Sequence, residues 1–360
     1  MEVLFVPYSA IGHLTPTLAV VTELTRHDVL VTVVADARFG ADVAASGARH
    51  LVAPVAHVPR VPSGYGPAAT TERIRLQYNK LRAIRATIET VDAALSPRTV
   101  RLCVFDPHLP LIERTARRHR VAAVPLWTTH ARRAGRGGTV LVNAVPELQP
   151  RRGRFGAGVH FVGPLSARPR PRPVSPRSRP VLVVASGSVF ARPAAFFHDI
   201  VTAFADTPWT VVMATGDLPV AELGPLSGNV VAAGWIAQEA ELFSADVFLT
   251  HAGMNSVHQA IMAGVPMLLA PRSAEQRRTA DRLCELGVAA YARHGCDLRA
   301  LADGLRADPL VRRRLQWLRE RAEVAHGAER AADVLLELLG GPARRDSAIV
   351  VSSSATKGEA

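Results

Sequence analysis

Short unbroken apolar runs alternate with segments of helical periodicity along most of the chain. Val3–Val6 is the first such run, short enough for a strand buried on both faces. Leu14, Leu18, Val21 and Leu24 then recur at helical spacing. Residues 29–34 predict a second strand, and 38–46 a helix that stops before Gly47. A long basic stretch, 70–95, keeps helical periodicity through Ile74, Tyr78, Leu81, Ile84 and Ile88. A strand at 102–105 ends at Asp106, a helix follows over 109–119, and 121–126 is a further strand. Strand alternating with helix predicts a parallel sheet covered on both faces.

The pattern then breaks. Residues 164–180, rich in Pro and Arg with almost no core-forming side chains, predict an extended interdomain linker. Alternation resumes with strands at 181–185, 209–213, 247–250 and 266–269, and helices at 194–205, 239–244, 255–263, 274–286 and 297–307. Two more helices, 309–325 and 328–339, close the pattern, and the small polar tail 340–360 is expected to be disordered. The fold class is therefore α/β: two Rossmann-like, doubly wound domains, 1–163 and 181–339, with the last helix free to pack back on the first domain. Ligands of such sheets bind at the carboxyl ends of the strands, which puts the expected site in a cleft between the domains. Neither half carries a full Gly-x-Gly-x-x-Gly, which disfavours a dinucleotide oxidoreductase.

Composition sharpens this picture only modestly. A chain of 360 residues exceeds what one core usually fills, and with 5% aromatics the cores must be built from Val, Leu, Ala and Ile. The net charge of +12 is almost all arginine, Lys80 and Lys357 being the only lysines. The arginines are scattered and no aromatic-interleaved basic stripe accompanies them, so nucleic acid is not an expected partner. Cys103, Cys284 and Cys296 are odd in number, far apart and without metal-ligand spacing, which fits a reducing cytosol. The amino-terminal residues have no signal-peptide pattern. Residues 247–271 lack any charge, but turn-forming Gly and Pro break them into strand, turn, helix and strand, so no membrane span is expected.

The segment 234–276 carries the chemistry. It contains Gly-Trp-Ile-Ala-Gln at 234–238, His-Ala-Gly-Met-Asn-Ser at 251–256 and Pro-Arg-Ser-Ala-Glu-Gln at 271–276. Residues 250–255 read as a strand-to-helix turn. Gly253 lets the backbone approach a ligand, and Asn255 and Ser256 open a helix whose free amides make an anion site. His251 is placed to donate to the same anion, and Trp235 to stack a base.

These three motifs, in this order, make the chain resemble the nucleotide-sugar-dependent glycosyltransferases of GT-B fold, in the macrolide-glycosyltransferase-like branch of the UDP-glycosyltransferase family. The resemblance implies that Trp235 stacks the nucleobase, the Ile236 backbone bonds its edge, and Gln238 reaches the ribose. It implies a diphosphate held by His251 and by the turn of Gly253, Met254, Asn255 and Ser256. It also implies phosphate contacts at Ser186 and Ser188, donor-sugar contacts at Glu275 and Gln276, and a donor-facing turn at Gly12. His13 becomes the general base and Asp106 its orienting partner, since a neutral imidazole can take a hydroxyl proton while a carboxylate fixes its tautomer. The implied partners are a UDP- or dTDP-sugar co-substrate and a hydroxylated small-molecule acceptor, with inversion at the anomeric carbon. No Asp-x-Asp occurs in the chain, so no metal is expected and no cofactor beyond the donor.

The chain departs from the family pattern at Gln259, where an acid usually grips the ribose, at Ala237, which replaces a frequent proline, and between Trp127 and Thr139, where it is short. Bland readings stand beside the chemical ones: His13 as a helix-start residue, Asp106 as a turn former before Pro107, Trp235 as a core aromatic. Asp106 and His108 suggest a metal pair, set aside because no third ligand is near and strand geometry should separate the side chains. His258 is expected to face solvent or pack on its helix. Two other functions compete with the inverting transferase: an inactive nucleotide-sugar-binding auxiliary subunit, motivated by Gln259 and the short acceptor region, and a nucleotide-sugar epimerase.

Overall fold

A computed structural model of the chain describes residues 1–53, 67–96, 98–131, 138–150, 155–165, 179–187 and 192–340. Most of the expected linker, residues 132–137 of the short 127–139 segment, Ser188 and the tail beyond 340 lie outside them.

The first half builds β1 (Glu2–Val6), α1 (Ile11–Arg26), β2 (Leu30–Ala35), α2 (Gly40–Ala45), β3 (Arg49–Val52) and α3 (Pro67–Ala94). It continues with β4 (Val100–Phe105), α4 (Leu111–Arg118), β5 (Ala122–Trp127), β6 (Val140–Val142) and β7 (Val159–Phe161). These strands form one parallel sheet in the order β3-β2-β1-β4-β5-β6-β7.

The second half builds β8 (Val181–Ala185), α5 (Ala194–Phe204), β9 (Thr210–Ala214), β10 (Val230–Ala233), α6 (Gln238–Leu242) and β11 (Val247–Thr250). After it come α7 (Met254–Ala263), β12 (Met267–Leu269), α8 (Ala274–Glu285), β13 (Ala289–Tyr291), α9 (Leu298–Ala307), α10 (Pro309–Val324) and α11 (Gly327–Leu338). Its sheet is parallel too, in the order β10-β9-β8-β11-β12-β13.

In each sheet the strand order reverses once, between β1 and β4 and between β8 and β11. These central strands are the continuous apolar runs of the sequence, and their side chains are buried on both faces. Loops leaving neighbouring strands on opposite sides of a reversal open a crevice at the carboxyl edge. Val6 pairs with Phe105 and Ala185 with Thr250, so the residues just beyond these pairs meet in space.

Packing joins the halves. Val140, Val142, Ala144 and Leu148 from the first share one core with Phe248, Met254, Val257 and Leu315 from the second. The chain also returns at its end: Ala331, Ala332 and Leu335 of α11 lie in the core formed by β1 and by Val20, Val21 and Leu24 of α1. The crossing is tight, because a Cβ at Gly327 would overlap the Pro164 carbonyl. Among the described residues no helix is long and apolar enough to cross a membrane.

Because Leu335 is fully buried against α1, Leu335→Ala is expected to destabilise the chain by about 2–4 kcal/mol in urea unfolding. An unchanged midpoint would mean that α11 adds nothing to the first core.

Candidate active site

His13 lies in the first turn of α1, which begins at Ile11, so Gly12 and His13 are already helical. Asp106 follows β4, and its N–H extends the ladder by donating to the Val6 carbonyl at 3.0 Å. Adjacency of β1 and β4 therefore brings the two side chains together: His13 Nδ1 is 2.6 Å from Asp106 Oδ2. Thr128, just beyond β5, adds its hydroxyl 2.8 Å from the same nitrogen. Asp106 is only 4% exposed. Burial alone would raise its pKa, but the charge and hydrogen bonds of His13 and His108 outweigh it and hold the carboxyl well below its usual range.

His108 corrects the sequence reading. Its side chain is not separated from Asp106: the Oδ1 oxygen accepts from both the backbone N–H and ring Nδ1 of His108, each at 2.8 Å. The chain turns immediately after β4, so strand alternation does not apply there. Ligand atoms of His13, Asp106 and His108 all lie within 4.8 Å of one another, so a third group is also present. Each carboxylate oxygen is nevertheless engaged by an imidazole at hydrogen-bond distance, which makes the cluster a hydrogen-bonded chain.

Across the cleft the second reversal point does parallel work. Ser186 is buried at the end of β8, Gly187 follows with φ +79°, and His251 follows β11. The His251 ring packs so closely on Gly187 and Gly253 that a Cβ on either would overlap it. Ala252, between His251 and Gly253 in the chain, is held at φ +64°, a left-handed conformation that a non-glycine residue rarely adopts. The first helical bond of α7 runs from Val257 N–H to the Gly253 carbonyl, leaving the Met254, Asn255 and Ser256 amides free of helical partners. Burial, and then the Arg192 guanidinium, push the His251 pKa down to about 4 against a hydrogen bond with the Ala185 backbone. His251 is thus a neutral hydrogen-bonding group here, not a cation.

The remaining expected residues divide. Trp235 is 66% exposed, which rules out the core-aromatic reading. Ile236 packs its side chain against the shared core. Gln238 opens α6 and donates to Ser256 Oγ at 3.2 Å and to Gln259 Oε1 at 2.5 Å, so three expected site residues form one polar cluster. Met254 is buried, which leaves its backbone amide as the part able to meet a ligand. Glu275 is half-buried in the first turn of α8. Gln276 takes part in a capping box with Ser273, and its Oε1 accepts from the Arg272 N–H at 2.7 Å, so only its amide nitrogen is left for a sugar.

Asn255 turns towards the other domain. Pro16 has no N–H to offer the Gly12 carbonyl four residues earlier, and Asn255 Nδ2 donates to that carbonyl at 3.0 Å. Asn143 approaches Asn255 Oδ1 at 3.4 Å, His130 Nε2 meets Thr279 Oγ1 at 2.9 Å, and Arg282 Nε donates to the Glu147 carbonyl at 2.8 Å. The Asn255–Gly12 bond thus links the His13 side of the cleft directly to the start of α7. Sequence reasoning missed Thr128, Asn143 and Arg192, which left no local signal, and discounted His108, two residues from Asp106. His258 is buried rather than solvent-facing, and burial pushes its pKa down to about 3.

Residues 164–296 match the family described as UDP-glucoronosyl and UDP-glucosyl transferase. The calicheamicin glycosyltransferase CalG4 superposes over 94% of this chain and 98% of its own, with TM-score 0.77 and 28% identity. The family match takes in much of the second domain, and the whole chain has the GT-B fold. The oleandomycin glycosyltransferase of Streptomyces antibioticus is 37% identical over 172 residues, 46% of this chain and 40% of that protein. NDP-glycosyltransferase YjiC of Bacillus licheniformis is 32% identical over 196 residues, 52% of this chain and 50% of that protein. The chain spans about half the length of the curated relatives it matches.

Because Arg192 disfavours the imidazolium, Arg192→Met is expected to raise the His251 pKa. An NMR titration should find the wild-type ring neutral above about pH 5 and its midpoint higher in the variant. An unmoved midpoint would leave burial as the sole cause.

Proposed function

We propose that this GT-B protein is an inverting, metal-independent glycosyltransferase moving a hexose or deoxyhexose from a UDP- or dTDP-sugar to a hydroxyl of a small-molecule natural product. The observation that carries the reading is the His13–Asp106 pair facing, across one cleft, a helix start with free amides. Residues 1–163 would bind the acceptor and 181–339 the donor, with 164–180 joining them. Three free cysteines suit work in the cytosol.

In this mechanism Asp106 holds the Nδ1–H of His13, leaving Nε2 to take the acceptor's hydroxyl proton. The acceptor oxygen bonds to the anomeric carbon while the bond from that carbon to the phosphate oxygen breaks, and the nucleoside diphosphate leaves with the electron pair. Entry opposite the leaving group inverts the configuration. The amides of residues 254–256, the α7 dipole and neutral His251 receive the developing charge without a metal. Exposed Trp235 would stack the base, with the Ile236 backbone at its edge. The Gln238–Gln259 cluster would meet the ribose, and because Gln259 is a neutral amide it should grip less firmly than a carboxylate. Glu275 and the Gln276 amide would contact the sugar. The name of the demethyllactenocin mycarosyltransferase of Streptomyces fradiae, 30% identical over 190 residues, supports an antibiotic-type acceptor, as does that of the oleandomycin enzyme.

The test offers UDP- and dTDP-sugars with a panel of hydroxylated acceptors, read by mass spectrometry with and without EDTA. Transfer should persist in EDTA, and His13→Ala should lose about 10²–10⁴ in turnover with nucleotide affinity nearly intact. Wild-type turnover in the variant would refute the mechanism. Tight donor binding with no transfer by the wild type would favour an inactive auxiliary subunit.

A further inference from the structure

The carboxylate of Asp106 serves two imidazoles. Oδ2 faces His13 Nδ1 at 2.6 Å, and Oδ1 faces His108 Nδ1 at 2.8 Å. The rings meet edge to face with centroids 5.1 Å apart, and the Tyr8 ring touches both. His108 is the more open of the two, its side chain 41% exposed against 18% for His13.

We propose that His108 is a positioning residue for the His13–Asp106 pair: it fixes the second carboxylate oxygen, and the proton it carries or lacks sets how strongly His13 attracts one. This rests on the reading of His13 as the base. With Oδ1 held by His108, the carboxylate cannot rotate away from His13 without losing a charge-assisted hydrogen bond. A proton on His108 places a cation beside His13 and shares the one negative charge between two rings. His13 then accepts a second proton less readily, as expected of two imidazoles on one carboxylate.

Groups from every side of His108 bear on that proton. The hydrogen bond that His108 donates to Asp106 raises the pKa of His108 most, burial opposes it, the Asp106 charge and Glu275 across the cleft raise it further, and Lys80 of α3 lowers it. The net shift is upward, so His108 keeps its proton to higher pH than an ordinary histidine. Deprotonation of His108 as pH rises therefore makes His13 the stronger base.

The experiment compares wild type, His108→Asn and His108→Ala by NMR titration of the His13 ring and by the pH dependence of kcat. The Asn amide nitrogen can occupy the place of Nδ1 and hold Oδ1 without titrating. His108→Ala should lose about tenfold in kcat with KM little changed, as for one hydrogen bond to a charged group, and His108→Asn should recover most of it. In both variants His13 should titrate at higher pH than in wild type. The acid limb of kcat should fall in two steps in wild type and in one step in the variants. An identical His13 titration in wild type and His108→Asn would overturn the proposal. The titration needs no turnover: a shifted His13 in a protein that transfers no sugar would uphold the coupling and refute the transferase reading instead.

Discussion

A carboxylate that is 4% exposed stays ionised only if its surroundings compensate it, and the compensation of Asp106 organises the first half of the cleft. Its two oxygens take two imidazoles and a backbone N–H, and its own N–H ties it to β1. Loss of any of these partners would leave lone pairs facing an apolar sheet edge. The fold can hold such a group because β1 and β4 meet where the strand order reverses, so α1 starts directly over the end of β4.

The second sheet repeats the device with the opposite charge preference. At its reversal point the groups on offer are backbone amides and a neutral imidazole pressed between two glycines. An imidazole–carboxylate pair on one wall and free amides on the other are what the proposed displacement uses. Asn255 joins the walls by filling the carbonyl that Pro16 leaves open, so a local break in a helix becomes an interdomain contact. The shared core beneath and the return of α11 to α1 hold the walls in register.

The central strands were legible because burial on both faces demands an uninterrupted apolar run, as in Val3–Val6 and Val181–Ala185. The strands β3, β6, β7, β10 and β13 were not, being three or four residues long and lying on the outer sides of the sheets. In so short a segment period two and period 3.6 cannot be told apart. The motif residues His13, Asp106, His251 and Gly253 were legible through their local pattern and the family they resemble. Thr128 and Asn143 come to the cleft from distant strand ends, and no local spacing marks them. His108 was visible but misjudged, because strand alternation was applied to a residue that already lies in a turn.

The most direct measurement of the central claim, displacement driven by His13 from the face opposite the diphosphate, is the anomeric configuration of the product. With an α-linked nucleotide sugar and an accepted hydroxyl compound, the account predicts a β-glycoside by the proton coupling of the anomeric centre. An α-glycoside would contradict it, because retention requires the oxygen to enter on the side from which the diphosphate departs.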